Sequence, residues 1–243
     1  MKRKLKIEIG LAVLLLLIAL FGSFLAPYDP LKVNYDFSLQ PPSFLHIFGT
    51  DKLGRDVFSR ILCGAKTSFG LTFLMLFLIV FIGMIVGLIA GLSNDKVESF
   101  FNNIINGLLA FPDTIFAITI VGIVGAGLFN TVFALALIWW TKYARLTLAL
   151  VKQEKKKNYL VMAKMSGVPP LQRIIRYLLP NILSQILVTA FLDIGNMMIS
   201  LAGLSFLGLA SQPPQPEWGA MLYESKQFMQ VAPWMMFFPI SKK

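Results

Sequence analysis

The sequence predicts an all-α integral membrane protein, on three observations. The chain has 243 residues, of which 56% are hydrophobic and 14% are charged, whereas soluble domains carry roughly 25% charged residues. Its mean hydropathy is +0.72. Its charges are segregated, because apolar runs of about 20 residues, long enough to cross a bilayer as helices, alternate with short basic clusters. We therefore expect a helical protein whose main solvent is lipid.

Five apolar segments are each long enough to form a transmembrane helix. In chain order they are Ile7–Ala26, Phe69–Leu92, Ser99–Val121, Phe129–Val151 and Ile182–Gly203. The first is too long for the apolar part of a signal peptide and no small-residue cleavage site follows it, so we interpret it as a retained span. A sixth segment, Val231–Ile240, is too short. We divide the chain into an N-terminal span with its outer loop, 1–68, and a core, 69–243.

The distribution of basic residues predicts the orientation. The first six residues include Lys2, Arg3, Lys4 and Lys6, which places the N-terminus in the cytoplasm. Counting spans, 27–68 is then outside and 152–180 is inside. The latter carries the densest basic cluster of the chain: Lys152, Lys155, Lys156, Lys157, Lys164, Arg173 and Arg176. The net charge of +10 is thus a topology signal. Nucleic-acid binding is not expected, because it needs a solvated basic face with interleaved aromatic residues.

The sequence lacks the residues that a serine hydrolase, a cysteine-rich metal site or a phosphate-binding loop would need. His46 is the single histidine and Cys63 the single cysteine, so a serine hydrolase at Ser205, an internal disulfide and a cysteine-rich metal cluster are all excluded. Lys66 is not preceded by the glycine that a phosphate-binding loop requires. We expect a protein that does not hydrolyse ATP itself and needs no cofactor or resident metal.

The basic segment contains the most informative pattern. Residues 159–166 have helix-forming composition, Gly167 is expected to end that helix, and the prolines that follow turn the chain. A second amphipathic helix, Leu171–Leu179, is predicted to lead to Pro180 and the fifth span. The segment is either an ordinary pair of interfacial helices or a projection that docks into a groove on a partner. The residues alone favour the first reading.

Three stretches resemble one protein family. The spacing of Ala163, Gly167 and Leu179-Pro180 resembles the EAA loop of binding-protein-dependent ABC permeases, although the leading Glu-Ala pair is replaced here by Val161-Met162. Residues 46–60, HIFGTDKLGRDVFSR, are similar to a signature that follows the first span of dipeptide, oligopeptide and nickel permeases. Residues 202–209, AGLSFLGL, with 212–221, QPPQPEWGAM, are similar to the signature after the fifth span. These matches keep the family's order and cover nearly the whole chain.

The resemblance implies a set of partners. A permease of this family works in the cytoplasmic membrane with a second permease subunit, two cytoplasmic ATPase subunits and an extracytoplasmic substrate-binding protein. It implies that the basic segment couples to the ATPases through Tyr159, Met162, Ala163, Gly167, Leu179 and Pro180. Glu217 and Trp218 are expected to be exposed on the outer face and to contribute to the contact with the binding protein.

The outer motif is predicted to form tight turns. Its residues are Gly49, Thr50, Asp51, Gly54, Arg55 and Asp56. The Asp side chains are expected to accept hydrogen bonds from backbone amides, and Arg55 and Arg60 are available to pair with them. We interpret the motif as a structural brace for the outer face rather than a substrate contact.

Two acidic residues lie near the middle of predicted spans. Buried acids in lipid usually face a bundle interior or an aqueous path, so Asp193, with Asn196 one turn further on, is the preferred candidate for the translocation path. Asp113 is a second candidate and follows Pro112, which is expected to kink its helix. A hydrogen bond to a neighbouring helix is the alternative explanation for both acids.

The sequence favours nickel or a metal chelate over short peptides as the substrate. Residues 192–198, 125–130 and 143–145 look more like nickel permeases than dipeptide ones. Asp193 with Met197 and Met198 offers one hard and two soft ligands, yet methionines in spans usually serve packing, and a chelated metal needs no protein ligand. Short-peptide import therefore stays open as the alternative.

A passive channel is a further alternative. The glycine spacing at Gly83, Gly87 and Gly91 favours close helix packing in any bundle and is more typical of packing than of a pore. A channel would need no ATPase, so copurification of ATPase subunits would discriminate.

The family pattern includes a sixth span after Pro233-Trp234, followed by a cytoplasmic tail. The sequence stops at Lys243, so we expect an incomplete last span, with a natural short end, a frameshift and a partial chain as open explanations.

Overall fold

The computed structural model describes residues 17–18, 20–210 and 214–240, and the regular elements in this part of the chain are helical. Helix α1 is described over 17–18 and 20–25. The next helices are α2 Val57–Leu92, α3 Asp95–Leu109, α4 Asp113–Val124, α5 Leu128–Glu154 and α6 Asn158–Met165. Helix α7 runs over Pro170–Phe206, and it is followed by α8 Trp218–Ser225 and α9 Trp234–Ile240.

The chain forms two compact units. The central unit comprises Phe73–Ile123 and Val132–Met197. The terminal unit comprises Met1–Thr72, Val124–Thr131 and Met198–Lys243. The division at residue 68 made from the sequence stays a prediction.

Three described helices, α2, α5 and α7, are long and apolar enough to cross a membrane. They contain the predicted spans Phe69–Leu92, Phe129–Val151 and Ile182–Gly203. Of the first predicted span, Ile7–Ala26, residues 7–16 and 19 lie outside the described residues, as do the basic residues that orient the N-terminus.

The predicted span Ser99–Val121 is not one helix. Helices α3 and α4 are separated by a short break and meet at 86°. Pro112 explains the break, because it has no backbone N–H and disfavours helical geometry at the residue before it. Helix α3 is also amphipathic, with polar side chains at Asp95, Glu98, Asn102, Asn103 and Asn106. The described residues therefore hold three candidate spans, or four if the bent pair counts as one, and the five predicted are not all confirmed.

Glycines bring the backbones of α2 and α5 into close contact in the central unit. A Cβ added to Gly83 would lie 2.6 Å from the Trp140 carbonyl oxygen, and one added to Gly87 would lie 2.5 Å from the Thr147 Cβ. Real Cβ contacts essentially never fall below 3.0 Å. The glycine spacing thus serves helix packing, as small residues do at interfaces within membranes.

Replacing Gly87 with Leu should destabilise the chain. The added side chain has no room against Thr147, so α2 and α5 must separate, and overpacking of this kind costs about 1–3 kcal/mol. Thermal unfolding of the purified full chain in detergent would measure the loss. Gly70→Leu is the matched control, because it lies in the same helix and a Cβ there meets nothing within 4 Å. Equal losses for both variants would contradict the packing role.

Candidate translocation path and coupling segment

An ion pair with a buried carboxylate joins α5 to α7 near the middle of both spans. Asp193 is 5% exposed. Its carboxylate accepts hydrogen bonds from the Lys142 Nζ, at 2.6 and 2.8 Å, and from the Tyr143 hydroxyl, at 2.9 Å. The Lys142 side chain is 49% exposed. The acid is therefore neutralised by a base at a depth where an unpaired charge would be costly, and the base remains accessible.

Lys142 belongs to a row of polar side chains that we call the α5 polar stripe. The stripe comprises Trp139, Lys142, Arg145 and Lys152. Trp139 Nε1 donates to Asp113 at 3.2 Å, Arg145 donates to the Asn106 side chain, and Lys152 Nζ donates to Glu98 at 2.7 Å. The stripe thus links α5 to α3, α4 and α7 through polar contacts, on a helix that is otherwise apolar enough to span.

The predicted path residues differ in their surroundings. Asp193 makes the contacts described above, Asn196 is exposed one turn further on, and Met197 is fully buried, which makes it a packing residue. Asp113 is exposed and begins α4, where its carboxylate accepts from the Thr114 amide at 2.8 Å. The break at Pro112 places Asp113 at a helix start, where its carboxylate is exposed. Its role in the path stays a prediction.

The sequence reasoning overlooked Lys142. A lysine in the middle of an apolar segment requires a partner, and Asp193 is the acid at comparable depth in another predicted span. Pairing the two was possible from the sequence. Among the described residues, no group of three or more His, Cys, Asp or Glu side chains is arranged to hold a metal ion.

The candidate coupling segment, residues 158–180, is anchored at its start by Glu154. This carboxylate is 7% exposed and accepts hydrogen bonds from the Tyr159 hydroxyl and, at 2.6 Å, from Lys157 Nζ. Burial, with the hydrogen bond to Glu154, raises the pKa of Tyr159 to about 12, so its phenol stays a proton donor. Glu154 was also overlooked, although it is an isolated acid in a basic run.

Gly167 ends α6 in a left-handed conformation, with φ +76°. The Val168 amide then donates to the Ala163 carbonyl at 3.1 Å, the bond of a Schellman cap. Ala163 is 7% exposed, whereas Met162 and Met165 are 65% and 83% exposed. The cap therefore holds a short helix with Ala163 packed inward and two flexible apolar side chains projecting outward.

The second helix of the segment is not separate from the fifth span. Helix α7 continues through Pro180 by a π-helical turn at Ile174–Leu178. The Leu179 amide donates to the Ile174 carbonyl. This wider turn accommodates Pro180, which has no backbone N–H to donate. The predicted helix Leu171–Leu179 is thus the beginning of α7, which runs into the span.

The outer motif forms tight turns in the terminal unit. Asp51 accepts from the amides of Leu53 and Arg55 at 2.8 and 3.0 Å. Asp56 caps the start of α2 by accepting from the Ser59 amide at 2.8 Å. Gly54 has φ +72°, and a Cβ there would lie 1.7 Å from the Asn34 carbonyl oxygen, so this turn requires glycine.

Four charged side chains form a buried network within the terminal unit. Arg55 Nε donates to Asp51 at 2.6 Å and Arg55 Nη2 donates to Glu224 at 3.0 Å. Arg60 Nη2 donates to the same Glu224 oxygen at 3.1 Å. All four residues are 7% exposed or less. The network holds two positive and two negative groups, and it ties the outer motif to α8.

Glu217 is buried, contrary to the expectation of an exposed contact residue. It is 1% exposed, and its carboxylate accepts from the Gly219 and Ala220 amides at 2.9 and 2.8 Å. The side chain is the N-cap of α8, where a negative charge is stabilised by the helix dipole. Trp218 is partly buried and donates to the Ile61 carbonyl at 3.0 Å.

Comparison with known families shows which family the chain belongs to. Residues 83–241 match the family described as binding-protein-dependent transport system inner membrane component. The chain belongs to this family. Residues 9–42 also match the N-terminal TM domain of oligopeptide transport permease C. The family resemblance drawn from the three motifs is therefore confirmed.

The chain is similar to permeases of two kinds. It is 38% identical over 95% of its length to the di/tripeptide transport system permease protein DppC of Pseudomonas aeruginosa, covering 78% of that protein. It is also 38% identical over 98% of its length to the dipeptide transport system permease protein DppC of Alkalihalophilus pseudofirmus, covering 79% of it. The identity to the nickel transport system permease protein NikC of Escherichia coli K12 is 34% over 93% of this chain and 82% of NikC.

Proposed function

We propose that this chain is a non-catalytic permease subunit of an ATP-driven importer of short peptides. The observation that carries the proposal is the Lys142–Asp193 pair at mid-span in a member of this family. Its partners are a second permease subunit, two cytoplasmic ATPase subunits and an extracytoplasmic binding protein. The N-terminus is cytoplasmic, so the coupling segment faces the ATPases and the outer motif faces the binding protein.

The charge at the pair favours peptides over bare metal cations. Because Lys142 neutralises Asp193, the carboxylate is not free to ligate a cation, and the half-exposed ammonium would oppose one. A short peptide carries a carboxylate, and the half-exposed Lys142 ammonium is accessible to it. The two DppC relatives add support. The preference for nickel made from the sequence is not confirmed.

Nickel, as a chelate, is the second candidate. The NikC relative is nearly as similar to this chain as the DppC relatives are. A chelate with carboxylate groups is anionic and can meet Lys142 without any protein ligand to the metal.

The mechanism follows from the coupling segment. Closure of the ATPases on ATP would draw the α6 helices of the two permeases together. Because α7 runs without interruption from the segment into the span, movement of α6 would be transmitted to Asp193 and change its contact with α5. The path then opens outward to receive substrate and resets inward after hydrolysis, as in alternating access.

Charge removal at the pair tests the proposal. Lys142→Met leaves a buried carboxylate with Tyr143 alone, and Asp193→Asn leaves an unpaired ammonium. We expect each to lower peptide uptake by about tenfold or more, equivalent to about 1.4 kcal/mol, in cells expressing the whole transporter. The measurement is uptake of labelled di- and tripeptides and of radioactive nickel, with membrane levels matched.

Lys152→Met is the matched control, because Lys152 lies on the same helix and pairs with Glu98 at 2.7 Å, but in the last turn of α5 rather than at mid-span. It should retain uptake. If Lys142→Met also kept full peptide uptake, the path role of the pair would be wrong. Nickel uptake that depends on this gene and resists excess peptide would assign the transporter to the second candidate.

A further inference from the structure

A cavity of about 560 Å³ lies beside the coupling segment in the central unit. It falls within the size range of about 300–1,000 Å³ that is typical of ligand pockets. Its lining has two parts. Three residues are basic, Lys155, Lys164 and Arg173, and six are apolar, Leu92, Leu160, Val161, Pro170, Ile174 and Leu178. None of the nine is acidic, so the cavity is electropositive and otherwise apolar.

The bases come from three successive elements. Lys155 follows the end of α5, Lys164 lies in α6 and Arg173 lies in the first turn of α7. Lys155 Nζ donates to the Gly91 carbonyl at 3.0 Å, which fixes its position and leaves two of its donors unused. The three cations line one cavity with no carboxylate in the lining, which favours an anionic ligand.

Arg173 has a buried donor that needs a partner. Its Nε is shielded from solvent and has no hydrogen-bond partner among the described residues. A guanidinium donor in this situation is satisfied best by an anionic oxygen, and Arg pairs with phosphate in particular through its planar fork.

The apolar majority of the lining indicates what carries the anion. A soluble phosphate would gain nothing from six apolar residues, whereas a phospholipid brings a phosphate and acyl chains together. The cavity also includes Leu92, the last residue of α2, and Leu178, a buried residue at the start of the fifth span. It therefore lies beside the end of one span and the start of another, and basic pockets at the cytoplasmic ends of spans suit anionic head groups.

We infer that this cavity binds the phosphate of an anionic phospholipid from the cytoplasmic leaflet. The head group contacts Lys155, Lys164 and Arg173, and an acyl chain lies along the apolar residues. The leaflet assignment rests on the topology in the proposed function. A lipid in this position bridges α5, α6 and α7, so membrane composition would set how firmly the coupling helix is held to the span.

Binding of phosphatidylglycerol to the delipidated full chain in detergent tests the inference, with native mass spectrometry as the readout. We expect Arg173→Gln and Lys164→Gln each to weaken binding about fivefold, the value of one cationic contact near a membrane surface. Arg176→Gln and Lys156→Gln are the matched controls, because both are exposed bases of the same segment that do not line the cavity. They should bind as the unmodified chain does.

Several results would overturn the inference. Equal weakening by the controls would show nonspecific attraction, and equal binding of phosphatidylcholine would remove the requirement for an anion. Displacement of the lipid by inorganic phosphate at similar concentration would assign the cavity to a soluble anion. Loss of lipid when the ATPase subunits are bound would make it a protein contact. The assay requires neither uptake nor ATP hydrolysis, so its failure is separate from failure of the proposed function.

Discussion

Glu224→Gln is expected to lower the stability of the purified chain by about 3–5 kcal/mol, the loss typical of breaking a buried ion pair from one side. The Glu224 carboxylate accepts from both Arg55 and Arg60 in the terminal unit. With glutamine in its place, two buried guanidinium groups share the single carboxylate of Asp51. The network then carries a net positive charge, and water cannot screen this charge because the groups are buried.

Thermal unfolding of the full chain in detergent measures this loss. Glu98→Gln is the control, because Glu98 also accepts from a base, Lys152, but that base is 51% exposed, and such pairs are worth about 1 kcal/mol or less. Adding Arg60→Met to Glu224→Gln restores charge balance and should recover part of the stability. A melting temperature that is unchanged in Glu224→Gln would mean that the network does not hold the outer motif to α8.

The apolar spans were predictable because their signal is local. A run of about 20 apolar residues must be helical in lipid, where every backbone polar group needs an internal partner. The three long helices therefore follow from composition. The bend between α3 and α4 was expected in part, because Pro112 was predicted to kink this segment. The full break of 86° was not predicted, because the average hydropathy of the segment hides the polar residues of α3.

Partners distant in sequence were harder to predict. The turns around Asp51 and Asp56 depend on residues within a few positions of each other and could be anticipated. Glu224, by contrast, is 164 positions from Arg60, and Glu217 has the composition of a surface residue although it caps a buried helix end. Lys142 and Asp193 are 51 positions apart. Their pairing could nevertheless have been predicted, because each is a charged residue in an apolar span and needs a partner of opposite charge.

Gly167→Val is expected to uncouple ATP hydrolysis from uptake. The left-handed conformation of Gly167, φ +76°, is strongly unfavourable for a β-branched residue. An added Cβ meets nothing within 4 Å, so the effect arises from the backbone conformation and not from a clash. A strain of about 1–2 kcal/mol lowers the population of the capped geometry by about five- to thirtyfold. Uptake should fall by a similar factor.

We expect uncoupling in Gly167→Val because the Gly167 cap sets the position of two exposed methionines. When Gly167 leaves the left-handed region, the bond from the Val168 amide to the Ala163 carbonyl is lost, and the end of α6 that presents Met162 and Met165 changes direction. The ATPases would still hydrolyse ATP, since the variant alters neither their sites nor the spans. Uptake and ATPase activity measured on the same reconstituted transporter would separate the two effects.

Gly167→Asn is the decisive comparison. Asparagine adopts the left-handed conformation far more readily than valine does and serves at helix ends in place of glycine, so it should retain most of the coupled uptake even though it adds a larger polar side chain. Loss of uptake in both variants would point to the space around residue 167 rather than to its backbone. Full uptake in Gly167→Val would remove the cap from the coupling mechanism and leave α7 as the element that transmits movement to Asp193.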